Sequence, residues 1–328
     1  MTTAEILAKI PEIKVLVIGD ICLDRWCRYD PRLAEPSRET NLDRVAVVGT
    51  EVTPGAGGTV ANNLAALGCR NVSVLGVVAD DGHGYELRAA LQSRGIDQSL
   101  LVNAPGATFT YTKLLNVHTE VEDLGRIDFL SFPPPPEAQE ELIARLRSHA
   151  ASYDCILVAD QMETAAGGVV TAAVRSALCE IAATHRGTLV WIDSRMRIEL
   201  FPGAVLKPNE REAGEACERL GLDRRDYRGL FQAAQASMLI VTHGGDGVTI
   251  LRPDSETTIP TRKVENPVDI CGAGDSFSAG ACLALCAGAS PEEASKFAHL
   301  VTSVTIMKPG TGTASPAEVV MAERMLGL

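Results

Sequence analysis

The chain has 328 residues, 46% of them hydrophobic and 22% charged, with a formal net charge of −12. That length suits one large α/β domain, or one large and one small lobe. The acidic balance argues against a nucleic-acid binder, which needs clustered Lys and Arg to neutralise phosphates, and no run approaches the roughly 18 consecutive apolar residues of a membrane span.

Residues 1–10 form a short amphipathic pattern with Glu5 and Lys9, lacking the apolar core of a signal peptide, so a cytoplasmic protein is expected. Residues 14–20 are an apolar run closed by Gly19-Asp20, the pattern of a central parallel strand. Similar runs recur at 72–79, 155–160, 188–193, 204–208 and 238–242, and helical patterns at 60–67, 86–94, 136–150, 168–184, 210–220 and 227–236 fall between or beside them. This alternation predicts an α/β fold: a central, mostly parallel sheet with helices on both faces. Ligands of such sheets sit beyond the carboxyl ends of the strands. Asp20, Asp160, Asp193 and Thr242-His243-Gly244 all close strands and so converge there.

Two stretches break the alternation. Residues 25–48 are polar and end in a β-rich run at 44–48, while 108–115 and 125–130 read as strands without an intervening helix. They form either a small antiparallel sheet inserted into the main domain or simple edge hairpins. The nine cysteines lack CxxC spacing; Cys282 and Cys286, at i and i+4 on an apolar helix, read as small buried hydrophobes.

The motif richest in chemistry is Asp269-Ile270-Cys271-Gly272-Ala273-Gly274-Asp275-Ser276-Phe277, followed by a small-residue helix to residue 289. A Gly-Ala-Gly turn at a helix start exposes backbone N–H groups lacking intrahelical partners, and the helix dipole adds to their attraction for an anion. Asp275 in the first turn would lie beside that anion, placed to take a proton from an attacking hydroxyl. The same residues would also make a plain Gly-rich turn with an acidic first turn.

This motif resembles the C-terminal signature of the ribokinase (PfkB) sugar kinase family. The resemblance implies Asp275 as the catalytic base and the amides of Gly272, Ala273 and Gly274 as the anion hole. Three further segments follow the family's order. Gly57-Gly58-Thr59-Val60-Ala61-Asn62 resembles its N-terminal Gly-Gly signature, with glycines that let a sugar approach the backbone and Asn62 binding hydroxyls. Asn209-Glu210-Arg211-Glu212 resembles its Asn-x-x-Glu motif, implying that Asn209 and Glu212 hold Mg2+ through water; it is equally a helix capping box. Thr242-His243-Gly244-Gly245-Asp246-Gly247 resembles the loop that meets ATP phosphates, with Thr242, Gly244 and Gly247 as contacts, and is also a plausible hairpin turn. His243 has no assigned role. Neither a P-loop nor a Rossmann Gly-x-Gly-x-x-Gly is present.

Within the family the chain is most similar to the heptose-7-phosphate kinase group. Gly19-Asp20-Ile21-Cys22-Leu23-Asp24-Arg25 resembles that group's opening, which makes Asp24 the sugar-binding aspartate. Gly125-Arg126-Ile127-Asp128-Phe129 resembles its lid strand, which adds Arg126 and Asp128 to the substrate site. Asp193-Ser194-Arg195 stands where the group has Asp-Pro-Lys, and the segment 308–316 resembles the group's near its end. Gln161-Met162-Glu163 departs from the group's Tyr and Lys-Gly, so a lysine is missing where a phosphorylated sugar would use one. Arg25, Arg28, Arg126 and Arg195 are alternative phosphate ligands or simply solvated charges.

The resemblance implies a ribokinase-like domain over residues 1–328, with a small β-sheet lid built from residues 25–50 and 108–130. It implies ATP, Mg2+ and often a monovalent cation such as K+, a sugar or sugar-phosphate acceptor, and a homodimer formed through the lid. The nucleotidyltransferase domain that often follows such kinases is not expected within these 328 residues. Rival readings are a kinase of ribose, fructose or a nucleoside, and a catalytically silent sugar- or nucleotide-binding protein on the same fold.

Overall fold

A computed structural model describes residues 1–130, 133–164 and 168–327. Its main sheet has eight strands: β1 Lys14–Gly19, β4 Asn71–Leu75, β9 Cys155–Asp160, β10 Leu189–Ser194, β11 Val205–Leu206, β12 Met238–Thr242, β13 Val248–Arg252 and β14 Ser255–Ile259. Their spatial order is β14-β13-β12-β11-β10-β9-β1-β4. The six from β12 to β4 pair in parallel, and β13 and β14 close one edge antiparallel.

Alternation along β1 explains the two-faced core. Val15 and Val17 enter one apolar cluster with helices α2 Gly57–Ala66, α8 Ala273–Cys286 and α9 Pro291–Thr305. Leu16 and Ile18 enter a second cluster with α4 Pro136–His149, α5 Ala172–Thr184 and α6 Glu210–Arg219. A strand buried on both faces must be apolar throughout, which is why these runs lack a period-2 polar pattern. Both cysteines expected to be small buried hydrophobes sit on α8; Cys282 is fully enclosed, and Cys286 is only partly covered.

The interrupting stretches build a separate four-stranded sheet, in the order β3-β2-β7-β8, from β2 Ile21–Tyr29, β3 Val47–Ala56, β7 Thr110–Asn116 and β8 Ile127–Phe129. It is mixed rather than antiparallel, because β2 and β7 run parallel through Asp24↔Tyr111 and Trp26↔Lys113. β2 starts earlier than the sequence pattern indicated, with only Asp20 between it and β1, and β3 runs on to Ala56, whereas β7 starts only at Thr110 and β8 is confined to Ile127–Phe129. Helix α3, Gly82–Gln92, packs beneath β2 and β3.

Two further boundaries differ. The run at 72–79 breaks at Gly76, where a Cβ would lie 2.9 Å from the Gly19 carbonyl oxygen; Val77–Val78 then pairs with Val102–Asn103. The helix expected from residue 168 begins at Ala172, because the Thr171 side chain accepts from the Val174 N–H as its N-cap.

Candidate active site

At the carboxyl ends of the parallel strands, α8 opens on the glycine turn. Gly272 is the N-cap, in the left-handed region at φ 76° and ψ 8°. A Cβ there would crowd Thr311 and Thr59 at 3.3 and 3.4 Å, so glycine is needed for both backbone and space. The first intrahelical donor is the Ser276 N–H, which reaches the Gly272 oxygen at 2.9 Å. The N–H groups of Gly274 and Asp275 precede it and belong to the unsatisfied first turn.

A lysine stands directly behind this turn. Lys207 follows β11, is buried, and pairs with Asp193 Oδ2 at 2.6 Å. A Cβ on Gly274 would sit 3.3 Å from Lys207 Nζ, so the ammonium lies against the amides. Burial opposes that charge, but Asp193, Glu212 and Asp275 outweigh it and raise the Lys207 pKa. Asp193 is fixed in turn by Ser278 on α8, which donates at 3.1 Å.

Asp275, in the first turn of α8, is partly exposed. Burial, joined by the Asp193 carboxylate, pushes it up to about 7 against the pull of Lys207 and Arg195. A carboxyl titrating near neutrality beside an anion-binding turn suits general-base work.

The facing wall is the small sheet. Asp24 on β2 lies across from Thr53 and Tyr111, and its carboxyl group occupies the space that a Gly55 Cβ would need, at 2.6 Å. Burial raises its pKa to about 6, moderated by Lys113 and Arg126. Arg126 pairs with Asp128 at 2.7 Å and stacks 4.4 Å from the Tyr111 ring centroid. Arg25 points the opposite way, as strand alternation dictates, and pairs with Glu86 at 3.4 Å; it is removed from the acceptor-facing set. Arg28 pairs with Glu120 at 3.4 Å, and Arg195 with Glu163 at 2.8 Å.

Gly57 and Gly58 are both buried, and their lack of a side chain serves packing. A Cβ on Gly57 would meet Ile21 Cδ1 at 2.7 Å, and one on Gly58 would meet Pro54 Cβ at 2.6 Å. Asn62 instead faces a cleft of about 580 Å3, lined also by Trp26, Thr53, Arg94, Asp269 and Lys308. The neighbouring Asn63 turns inward and donates to the Thr59 carbonyl.

Trp26 bridges the small sheet to the catalytic turn. Its ring packs against Gly310, where a Cβ would lie 3.5 Å from Cζ2. The Gly310 N–H donates to Asp269 Oδ2 at 3.0 Å, while Asp269 Oδ1 accepts from the Cys271 N–H at 2.8 Å.

At the start of α6, Asn209 and Glu212 form a reciprocal capping box, each side chain accepting from the other's backbone N–H at 2.9 Å. Glu212 also faces Asp193 and Lys207; burial, then Asp193, raises its pKa. Among the described residues no group of three or more His, Cys, Asp or Glu side chains could hold a metal. A magnesium ion here would therefore rest largely on phosphate and water oxygens. Thr242 lies beside Asn209 through a parallel bridge. Gly244 is exposed, whereas Gly247 is buried at φ 107° with its α-carbon against Ile259. His243 bonds Thr249 at 2.9 Å and approaches Glu210 at 2.9 Å, which makes it a brace for the loop.

Two of the strand-end acids are structural. Asp20 accepts from the N–H groups of Gln161, Met162 and Val169, clamping the loop after β9. Asp160 accepts from Ser194 at 2.6 Å and pairs with the buried Arg197 at 3.3 Å. The sequence reading missed Lys207, Trp26, Lys113 and Arg94. Only Lys207 carried a signal, as a lone cation closing an otherwise apolar run.

Residues 12–318 match the description "pfkB family carbohydrate kinase". The chain belongs to the pfkB family of carbohydrate kinases. This kinase is 31% identical over 324 residues to the "Bifunctional protein HldE" of Trichlorobacter lovleyi, covering 94% of this chain and 62% of that protein. It is 32% identical to the protein of the same name from Geobacter metallireducens, covering 96% of this chain and 64% of that one. The chain thus spans under two thirds of the length of these relatives. Its fold matches that of a ribokinase from Thermotoga maritima, with a TM-score of 0.71, 21% identity and coverage of 95% and 99%. It also matches phosphofructokinase-2 from Escherichia coli in complex with potassium, with a TM-score of 0.74, 16% identity and coverage of 96% and 100%. The pfkB kinase is thus an α/β enzyme of ribokinase-like fold with a second, smaller sheet, and no helix among its described residues is long and apolar enough to cross a membrane.

Proposed function

We propose that this kinase transfers the γ-phosphoryl group of ATP to a hydroxyl of a sugar phosphate resembling heptose 7-phosphate. The observation that carries the reading is the Asp275 carboxyl, titrating near 7 at the mouth of a glycine turn backed by Lys207. Asp275 accepts the hydroxyl proton as the oxygen attacks phosphorus. The amides of Gly272, Gly274 and Asp275, with Lys207 behind them, take up the negative charge that develops on the transferred group, whereas the Ala273 N–H, expected among them, is held by the Ile270 carbonyl at 3.2 Å.

Asp24 and Asn62 orient the acceptor beside the α2 amino end, whose Gly57 and Gly58 serve packing rather than acceptor contact, and Arg126 with Asp128 closes the far edge of the small sheet. Thr242, Gly244 and Gly247 line the nucleotide phosphates. Asn209 and Glu212 hold water around magnesium, whose chemistry is to neutralise the phosphate oxygens. The potassium complex of the Escherichia coli neighbour supports a monovalent cation as a further cofactor. Residues 1–328 act as one kinase domain in the cytoplasm, and the small sheet serves as a lid that also pairs two copies.

Coupled ADP release tests this. The acceptors are heptose 7-phosphate, fructose, fructose 6-phosphate, ribose and adenosine, with magnesium and ATP. Turnover with heptose 7-phosphate above the others, reduced by roughly two to four orders of magnitude in Asp275→Asn with ATP still bound, is the expected result. Near-normal turnover in that variant would remove Asp275 as the base, and a preference for ribose or adenosine would replace the acceptor.

A further inference from the structure

The cations around the cleft are nearly all matched to carboxylates. Arg25, Arg28, Arg126, Arg195, Lys207 and Lys308 pair with Glu86, Glu120, Asp128, Glu163, Asp193 and Glu318. Two have no carboxylate within 4.0 Å among the described residues: Lys113 and Arg94. Both are half-buried.

Lys113 stands on β7 opposite Trp26 of β2, one step beyond the Asp24↔Tyr111 pair on the same face of the sheet. Its Nζ lies 4.3 Å from the centroid of the Trp26 ring, and that ring lines the 580 Å3 cleft. Arg94 reaches the same cleft from beyond α3 and donates to Thr53 Oγ1 at 3.5 Å; Thr53 is the cross-strand neighbour of Asp24. Lys113 thus approaches Asp24 from the neighbouring strand β7, and Arg94, whose guanidinium also donates to the Ala90 carbonyl at 2.8 Å, from the end of α3 beside β3.

The carboxylates nearby do not cancel them. Asp269 is committed to two backbone N–H groups, and Glu51 is exposed. Asp24 stands beyond ion-pair distance of Lys113. Lys113 and Asp24 attract each other at longer range, but a partly desolvated cation with no hydrogen-bonded carboxylate gains more from a ligand that supplies one.

We propose that Lys113, seconded by Arg94, anchors an anionic group on the acceptor, at the end remote from the hydroxyl that reacts beside Asp275. This inference rests on the acceptor placement proposed above. The chemistry required is a cluster of charged oxygens, as in a phosphate monoester or a sugar carboxylate, with Trp26 packing against the carbon chain between the two ends. It makes Lys113 the residue that sets preference for charged over neutral acceptors, in the absence of a lysine at Glu163.

The test uses the full chain, magnesium and ATP, with three acceptors of one carbon skeleton: heptose 7-phosphate, heptose, and hepturonate, whose carboxylate is at carbon 7. The quantity read is kcat/KM for each charged acceptor divided by kcat/KM for heptose. Lys113→Met should lower that ratio at least tenfold and Lys113→Arg should retain most of it; Arg94→Met should lower it less. The better of the two charged acceptors in the parent protein identifies phosphate or carboxylate as the group held. A ratio unchanged within twofold in Lys113→Met would overturn the proposal, as would an equal loss with heptose. Calorimetric titration of heptose 7-phosphate without ATP separates this from the kinase reading. Binding that weakens tenfold or more in Lys113→Met supports the anchor even if no acceptor turns over, whereas binding that is absent from the parent, or unchanged in the variant, overturns it.

Discussion

Asp275 and Lys207 form a pair whose titrations are linked through space. Because the Asp275 carboxyl must be ionised to accept a proton, turnover should be low below about pH 7 and rise as pH passes through that value. Lys207 is one of the cations holding that pKa down. Replacing it with methionine should move the acid limb of the rate profile to higher pH. The same change strands the buried Asp193 carboxylate, which costs about 3–5 kcal/mol when a buried pair loses one partner. A chemical-denaturation series and a pH–rate profile on Lys207→Met check both; an unmoved limb would detach Lys207 from the base. This residue also marks where sequence reading fell short. Asp275 was legible because a long motif carries it, but Lys207 is defined by what lies beneath Gly274, and burial of a cation against amides leaves no spacing pattern. Asn62 and Asn63 make the same point: adjacent and identical in type, they part company only when the helix rotation is known.

At the scale of elements, the parallel strands were readable because each is buried on both faces and therefore uninterrupted in apolar residues. Boundaries set by three-dimensional proximity were not. Gly76 breaks a continuous apolar run because the Gly19 carbonyl passes close to it, and the parallel β2–β7 pairing joins segments some 80 residues apart in the chain. The turn at Gly247 illustrates a glycine with one decisive requirement. Its φ of 107° is a region that side chains rarely enter, and a Cβ would lie 2.1 Å from the Ile259 oxygen. Gly247→Ala should destabilise the protein by roughly 1–3 kcal/mol from backbone strain alone, and raise the KM for ATP if the loop meets nucleotide phosphates. A lowered urea midpoint with an unchanged KM would leave this turn a structural one.

For the whole molecule, exposed apolar side chains gather on the small sheet and its loops. Leu42, Val45, Val47, Val48, Val121, Ile127 and Leu130 are each at least 45% accessible. A monomer seldom leaves such a patch bare, and a second copy covering it would need to bury at least about 1,000 Å2 in total. Sedimentation equilibrium should find a dimer in the parent protein and a monomer in the double variant Val47→Lys, Ile127→Lys. A monomeric parent at micromolar concentration would exclude pairing through this surface.

The contact between Trp26 and Gly310 bears on fidelity. A kinase that keeps a nucleotide and a base together risks handing phosphate to solvent, and the remedy is to hold the reactive geometry incomplete until the proper acceptor arrives. Here the indole edge, Gly310 and Asp269 make a short mechanical chain from the small sheet to the glycine turn that opens α8, which the proposed mechanism places between acceptor and phosphate. An acceptor settling against the indole would tighten the amides of that turn; water, too small to press on it, would not. Trp26→Ala should then raise ATP hydrolysis uncoupled from sugar phosphorylation, read with the acceptor present as ADP formed per sugar phosphate formed. A ratio that stays at one in the variant would show that the enzyme excludes water by some other part of its architecture.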